Sequence, residues 1–200
     1  MIAALVLAAG LGSRMGASKP LLDIDGRPSL ARVLDAVDGA AITEVVVVLG
    51  RDADRVAAQI DLAARHVVRN PAPERGLSSS LELGLASIPM SCTGVLVFHA
   101  DMPFVQSSTV RAVRALARDG AAIAAPRLGD VRGFPVYFSR DCFASLRAEL
   151  SGDTGGRGFI ERHRAALCLV NVTDPGCLRD IDRPEDLVAC KGGPPWTTSG

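Results

Sequence analysis

Four consecutive β-branched residues, Val45-Val46-Val47-Val48, limit what this chain can fold into more than any other stretch. β-Branched side chains favour a pleated strand, and a strand that is apolar at every position has no face to offer water. The segment at residues 44–49 therefore reads as a strand covered on both sides. Ile2–Ala8 is a second such run, continuous in apolar character.

Between these runs lie segments with helical spacing. Residues 29–37 place Leu30, Val33, Leu34 and Val37 on one face, and residues 78–88 do the same with Leu81, Leu85 and Ile88. Residues 52–60 read as a helix with Asp52 as N-cap, and Ser107–Arg118 as one capped by Ser107 or Ser108. Further strands are expected at His66–Arg69, 94–98, 121–125, 134–138 and Leu167–Asn171. Further helices are expected at 140–150, 156–164 and 184–189, the last with Pro184 in its first turn. Alternation of this kind implies a mostly parallel sheet with helices on both faces. Ligands of such sheets bind beyond the carboxyl ends of the strands. The loop after Ala9, the residues from Asn70 and the Asp101 region all fall at such ends.

Two hundred residues, 48% hydrophobic, suit one domain over 1–190, with 191–200, rich in Gly, Pro, Ser and Thr, as a disordered tail. Charges balance at 22 basic and 22 acidic, which argues against a nucleic-acid partner and makes any anion site local. Five scattered cysteines without a Cys-x-x-Cys pair read as reduced thiols of a cytoplasmic protein. Met1 runs straight into a strand pattern, with no leader signature, and no apolar run is long enough to span a membrane.

The first strand opens into Gly10-Leu11-Gly12-Ser13-Arg14-Met15-Gly16-Ala17-Ser18-Lys19-Pro20. Backbone N–H groups of a glycine loop, with an Arg and a Lys, suit phosphates, and a nucleoside triphosphate is the first candidate ligand. The loop is neither of two familiar phosphate loops. A dinucleotide fingerprint needs its third glycine where Met15 stands, and a P-loop needs Gly-Lys-Ser/Thr where Ser18-Lys19-Pro20 stands. By itself the loop also admits a reading in which its glycines only turn the chain.

Asp101 follows a buried strand, and a carboxylate facing a triphosphate suits Mg²⁺. In an extended segment Asp180 and Asp182 share a side, so either can complete that site. Capping of a Pro-initiated helix accounts for Glu185 and Asp186, for Asp182 in part and for Asp180 poorly. Asn70, Gly76 and the run Ser78-Ser79-Ser80 form a rigid loop feeding a hydroxyl-rich helix start, suited to a base edge or a phosphate. His99 packs at a strand end, and His66 and His163 lie on the surface. No Ser/His/Asp or Cys/His arrangement supports covalent hydrolysis.

Leu7-Ala8-Ala9-Gly10-x-Gly12-Ser13-Arg14-Met15-Gly16-x-x-Lys19-Pro20-Leu21-Leu22 resembles the signature of MobA-like nucleotidyltransferases, above all the molybdenum cofactor cytidylyltransferases. The likeness continues through Asn70 with Gly76–Leu81 and Gly84-Leu85, through Asp101-Met102-Pro103-Phe104, through Gly133-Phe134-Pro135-Val136, through Gly152-Asp153-Thr154-Gly155-Gly156-Arg157, and through Asp180-Ile181-Asp182-Arg183-Pro184-Glu185-Asp186-Leu187. The resemblance implies a three-layer, Rossmann-like nucleotidyltransferase fold with a mixed, mostly parallel sheet. It implies nucleotide binding by Leu7, Ala8, Ala9, Gly10, Gly12, Ser13, Lys19, Asn70, Gly76, Ser79 and Ser80. Arg14, Lys19 and Asp101 would be catalytic, with Mg²⁺ on Asp101 and Asp180 or Asp182. CMP would pass from CTP to the phosphate of molybdopterin, releasing pyrophosphate. In the family Ala-Ala-Gly goes with CTP and Ala-Gly-Gly with GTP, so Ala9 points to CTP. Phe134, with Pro135 on the acceptor side, stands where relatives carry His, which leaves another phosphorylated acceptor open. The implied partners are CTP or GTP, a phosphorylated pterin, and a molybdoenzyme or its insertion chaperone. A non-catalytic insertion chaperone of this fold and a nicotinamide-binding oxidoreductase are the competing classes.

Overall fold

The computed structural model describes residues 1–10, 18–182 and 186. Among the described residues, ten strands and six α-helices follow in chain order. The strands are β1 (Ile2–Ala8), β2 (Asp23–Ile24), β3 (Arg27–Pro28), β4 (Val45–Leu49), β5 (His66–Arg69), β6 (Gly94–His99), β7 (Ile123–Leu128), β8 (Val131–Arg132), β9 (Val136–Ser139) and β10 (Leu167–Asn171). The helices are α1 (Ser29–Gly39), α2 (Ala53–Gln59), α3 (Leu77–Ala86), α4 (Ser107–Arg118), α5 (Phe143–Ala148) and α6 (Arg157–Arg162). The main sheet has the order β10-β7-β9-β6-β1-β4-β5, with β8 paired to β7. β1 pairs in parallel with both β4 and β6, β4 with β5, and β10 with β7. β9 runs antiparallel between β6 and β7, which makes the sheet mixed.

Strand alternation divides the core into two layers. Ala4, Val6 and Ala8 of β1, with Val45, Val47, Leu96 and Phe98, pack under α1, α2 and α4. Ala3, Leu5 and Leu7, with Val46, Val48, Val95 and Val97, pack under α3, α5 and α6. Each central strand thus buries both faces, which is why β1 and β4 are apolar throughout.

Several element ends differ from expectation. The strand expected at 121–125 begins at Ile123, because residues 119–121 close α4. Gly120 takes φ +93°, and Ala121 N–H returns to the Leu116 carbonyl. The strand expected at 134–138 begins at Val136. The Phe134 N–H is taken by the Cys177 carbonyl, and Pro135 has no N–H to pair. The helix expected at 140–150 starts as a 3₁₀ turn at Arg140–Cys142, and the one expected at 156–164 is shortened to α6. Neither Ser107 nor Ser108 caps α4. Gln106 occupies the N-cap position, and the carboxylate of Asp174 accepts its N–H at 2.9 Å. Asp52 occupies the N-cap position of α2 as expected, but its carboxylate makes no capping bond there and accepts instead from the Ser18 hydroxyl. The β2–β3 hairpin is an addition. Its Asp25-Gly26 turn has φ +53° and +80°, the two-residue geometry that Asp-Gly favours. The helix expected at 184–189, apart from Asp186, and the tail at 191–200 lie outside the described residues.

Among the described residues, Cys92, Cys142, Cys168 and Cys177 are free thiols, and no helix is long and apolar enough to cross a membrane.

Candidate active site

The chain leaves β1 toward β4 and β5 on one side and returns to the other side at β6. Loops from neighbouring strands part at such a reversal and open a crevice at the carboxyl ends. A cleft of about 300 Å³ lies there. Its wall includes Ala8, Ala9 and Gly10 after β1, His99, Ala100 and Asp101 after β6, Gly76 and Ser80 at the start of α3, and Lys19, Asp153 and Asp182.

Ala9 is buried at 4% exposure. A Cβ on Gly50 would lie 2.7 Å from the Ala9 carbonyl oxygen, so the loop after β4 presses directly on this residue. Lys19 begins a 3₁₀ turn, Lys19–Leu21, that Pro20 and Leu22 anchor in the interior. Its ammonium lies 2.9 Å from Asp101 Oδ2 and is also hydrogen-bonded to Asp182 Oδ1. Burial opposes its charge, but Asp101, followed by Asp182, outweighs that and holds the amine above its usual range.

Asp182 reaches the cleft through a backbone clamp. Ile181 N–H donates to the Asp101 carbonyl at 2.9 Å, and the Ile181 side chain is fully buried beside Leu22, Ile24 and Phe104. The residues flanking Ile181 therefore turn away from that pocket. Asp182 lines the cleft, whereas Asp180 is on the exposed side of the strap. Packing on one side, then repulsion from Asp182 and Asp101, holds the Asp180 carboxyl above the ordinary range.

Asn70 and Ser79 stand one layer behind the wall. Asn70 donates to Ser79 Oγ and Ser80 Oγ at 2.9 Å each, and Ser79 donates to the Gly76 carbonyl at 2.8 Å. The three-serine run is thus in part a bracket that fixes the β5–α3 loop, and Ser80 alone of the three faces the cleft. Phe134 and Pro135 are also off the wall. The Phe134 ring meets His99 edge-on at 4.6 Å, and burial holds the His99 imidazole below its usual range, hence neutral near pH 7. Gly12, Ser13 and Arg14 lie outside the described residues.

Glu74, His99 and Asp153 join the wall without having been singled out as binding residues. Asp153 accepts the Leu77 N–H at 3.1 Å and so caps α3 from 76 positions away. Four carboxylates, Glu74, Asp101, Asp153 and Asp182, line the cleft against one described cation, Lys19. A polyphosphate would be repelled from such a wall unless a cation entered with it. No group of three metal-ligand side chains forms among the described residues. Two carboxylates nevertheless share one cation, and Mg²⁺ is commonly held by one or two carboxylates together with phosphate oxygens. The donor set therefore fits a divalent ion.

Fold and cleft together define a Rossmann-like α/β protein with a candidate ligand cleft at the switch point of its sheet. The chain belongs to the MobA-like NTP transferase domain family, whose model matches residues 4–167. The Rv0371c structure from Mycobacterium tuberculosis H37Rv superposes with a TM-score of 0.86 at 30% identity, covering 94% of this chain and 96% of that one. A manganese complex of Rv0371c gives 0.81 at 28% identity, covering 94% and 97%. Nicotine blue oxidoreductase of Paenarthrobacter nicotinovorans is 27% identical over 93% of this chain and 94% of its own length. The bifunctional protein GlmU of Agrobacterium fabrum is 36% identical over 60% of this chain, and the match spans only 27% of that protein.

Proposed function

We propose that the protein is a Mg²⁺-dependent nucleotidyltransferase that moves CMP from CTP to the phosphate of molybdopterin and releases pyrophosphate. The observation that carries this reading is the Lys19 ammonium held between Asp101 and Asp182 at the edge of a cleft whose floor is Ala8-Ala9-Gly10. Mg²⁺ on Asp101 and Asp182 would supply positive charge against the triphosphate oxygens. Lys19, released from those carboxylates, would meet the phosphates, and Gly10 would let the backbone approach them. The Ala8-Ala9-Gly10 sequence, of the form that goes with CTP in the family it resembles, supports a pyrimidine. Transfer of this kind rests on positioning and electrostatics and needs no covalent nucleophile. The manganese complex of Rv0371c supports a divalent ion in this role.

Incubation with Mg²⁺, molybdopterin and either CTP or GTP, read by pyrophosphate release, tests the reading. Release with CTP is expected. Release with GTP alone overturns the base assignment. Release with a different phosphorylated acceptor alone overturns the pterin, and none with any acceptor overturns the activity.

The full-length match to nicotine blue oxidoreductase favours a second reading, a nicotinamide-dependent oxidoreductase on the same fold. Met15 at the third glycine position of a dinucleotide fingerprint weighs against it. Quenching of NAD(P)H fluorescence by the protein at micromolar concentration would favour this second reading over the first.

A further inference from the structure

Arg132 ends β8, which folds back on β7 through a turn at Gly129. The next two residues are pinned, Gly133 N–H on the Pro126 carbonyl at 2.9 Å and Phe134 N–H on the Cys177 carbonyl at 2.8 Å. The Arg132 guanidinium carbon lies 5.8 Å from the centre of the Phe134 ring. That ring is the one in edge contact with His99 on the cleft wall. A single aromatic side chain, itself off the cleft wall, therefore lies between a wall residue and this arginine.

The Arg132 side chain is half-buried, and among the described residues no carboxylate lies within ion-pair distance of it. Its Nη1 is buried and has no hydrogen-bond partner among the described residues. The charges acting on it are Arg157, which repels it, and Glu161, which attracts it. Glu161 is already paired with Arg157 at 3.0 Å. Burial and Arg157 lower the guanidinium's proton affinity, yet an arginine at this level stays charged. A buried, charged donor without an acceptor is disfavoured far more than a contact with one ring face repays. An incoming oxyanion would relieve that deficit, because the guanidinium fork matches phosphate geometry.

We propose that Arg132 is an anion-binding residue of the acceptor side, gripping a phosphate-class oxyanion of the molecule that receives the nucleotidyl group. The proposal rests on the transfer reading above for the identity of the ligand as an acceptor. It also gives Phe134 a task that an imidazole at this position would share differently, that of backing the arginine with an apolar ring.

Inorganic phosphate is the probe, titrated into the full chain with and without CTP, with the Arg132 Nε–H resonance followed by NMR. Phosphate is expected to shift that resonance in both titrations. Arg132→Gln should weaken phosphate binding about tenfold, the loss of one charge-assisted contact, while leaving CTP affinity unchanged. Arg132→Lys, which keeps the charge but not the fork, should fall between the two, and equal melting temperatures would exclude misfolding. In turnover Arg132→Gln should raise the acceptor KM and leave kcat nearly unaltered. An unmoved Arg132 resonance, or phosphate affinity equal in wild type and Arg132→Gln, overturns the proposal. Phosphate binding at Arg132 without pyrophosphate release from any acceptor upholds the anion site and overturns the transfer reading instead.

Discussion

Lys19 keeps two carboxylates of the cleft from repelling each other, and the same ammonium is the described cation nearest the proposed phosphate path. Lys19→Ala leaves Asp101 and Asp182 facing each other and removes one electrostatic contact to the triphosphate. Pyrophosphate release with CTP should fall by about 100-fold or more, the range seen when one preorganised donor is lost. A steady-state assay checks this, and a rate within threefold of wild type (about 0.7 kcal/mol) would overturn the role. At this scale much was legible in advance. Ala9, Gly10, Lys19 and Asp101 all line the cleft and sit in short motifs at strand ends, where local sequence decides which backbone faces the crevice. Glu74, His99 and Asp153 were not legible as wall residues, because each reaches the cleft only through the placement of its own loop.

At the scale of elements, α3, whose start brings Leu77 and Ser80 to the cleft, lies close on β1. Gly84 makes that approach possible, since a Cβ there would come 2.4 Å from Leu5 Cδ1. Gly84→Ala should force the helix outward and destabilise the protein by about 1–3 kcal/mol, the usual result of overpacking. Thermal melting reads this as a drop of roughly 2–4 °C per kcal/mol for a chain of this size. An unchanged melting temperature would show that α3 is not seated as tightly as the contact implies. The periodicity of Leu81, Leu85 and Ile88 announced the helix. It could not announce that its N-terminus is capped by Asp153, nor that Asn70 bridges Ser79 and Ser80, because both bonds join segments apart in sequence.

At the scale of the whole molecule, Asp174 ties the last described segment to the body. It is 3% exposed and accepts from Thr109 Oγ1 at 2.7 Å, Gly176 N–H at 2.8 Å and Gln106 N–H at 2.9 Å. The strap that carries Ile181 and Asp182 back to Asp101 starts from this anchor. Asp174→Ala should cost roughly 2–3 kcal/mol, because buried donors lose a charged acceptor. It should also lower pyrophosphate release more than the matched loss of stability explains, since Asp182 would be less well held. Melting and turnover measured on one preparation check both parts, and full activity at a lowered melting temperature would separate the strap from the site. The sequence by itself determined the layers, because runs such as Val45–Leu49 bury both faces and admit only a sheet covered on each side. It also placed Ala9 and Asp101 at one edge, since β1 and β6 are parallel neighbours and end on the same side. Tertiary structure alone decided that Asp182 rather than Asp180 is bonded to Lys19, that Asp174 caps α4, and that Arg132 Nη1 is buried with no hydrogen-bond partner among the described residues. Local pattern says which face of a segment a residue occupies, but the neighbour waiting there is chosen by packing between segments distant in the chain.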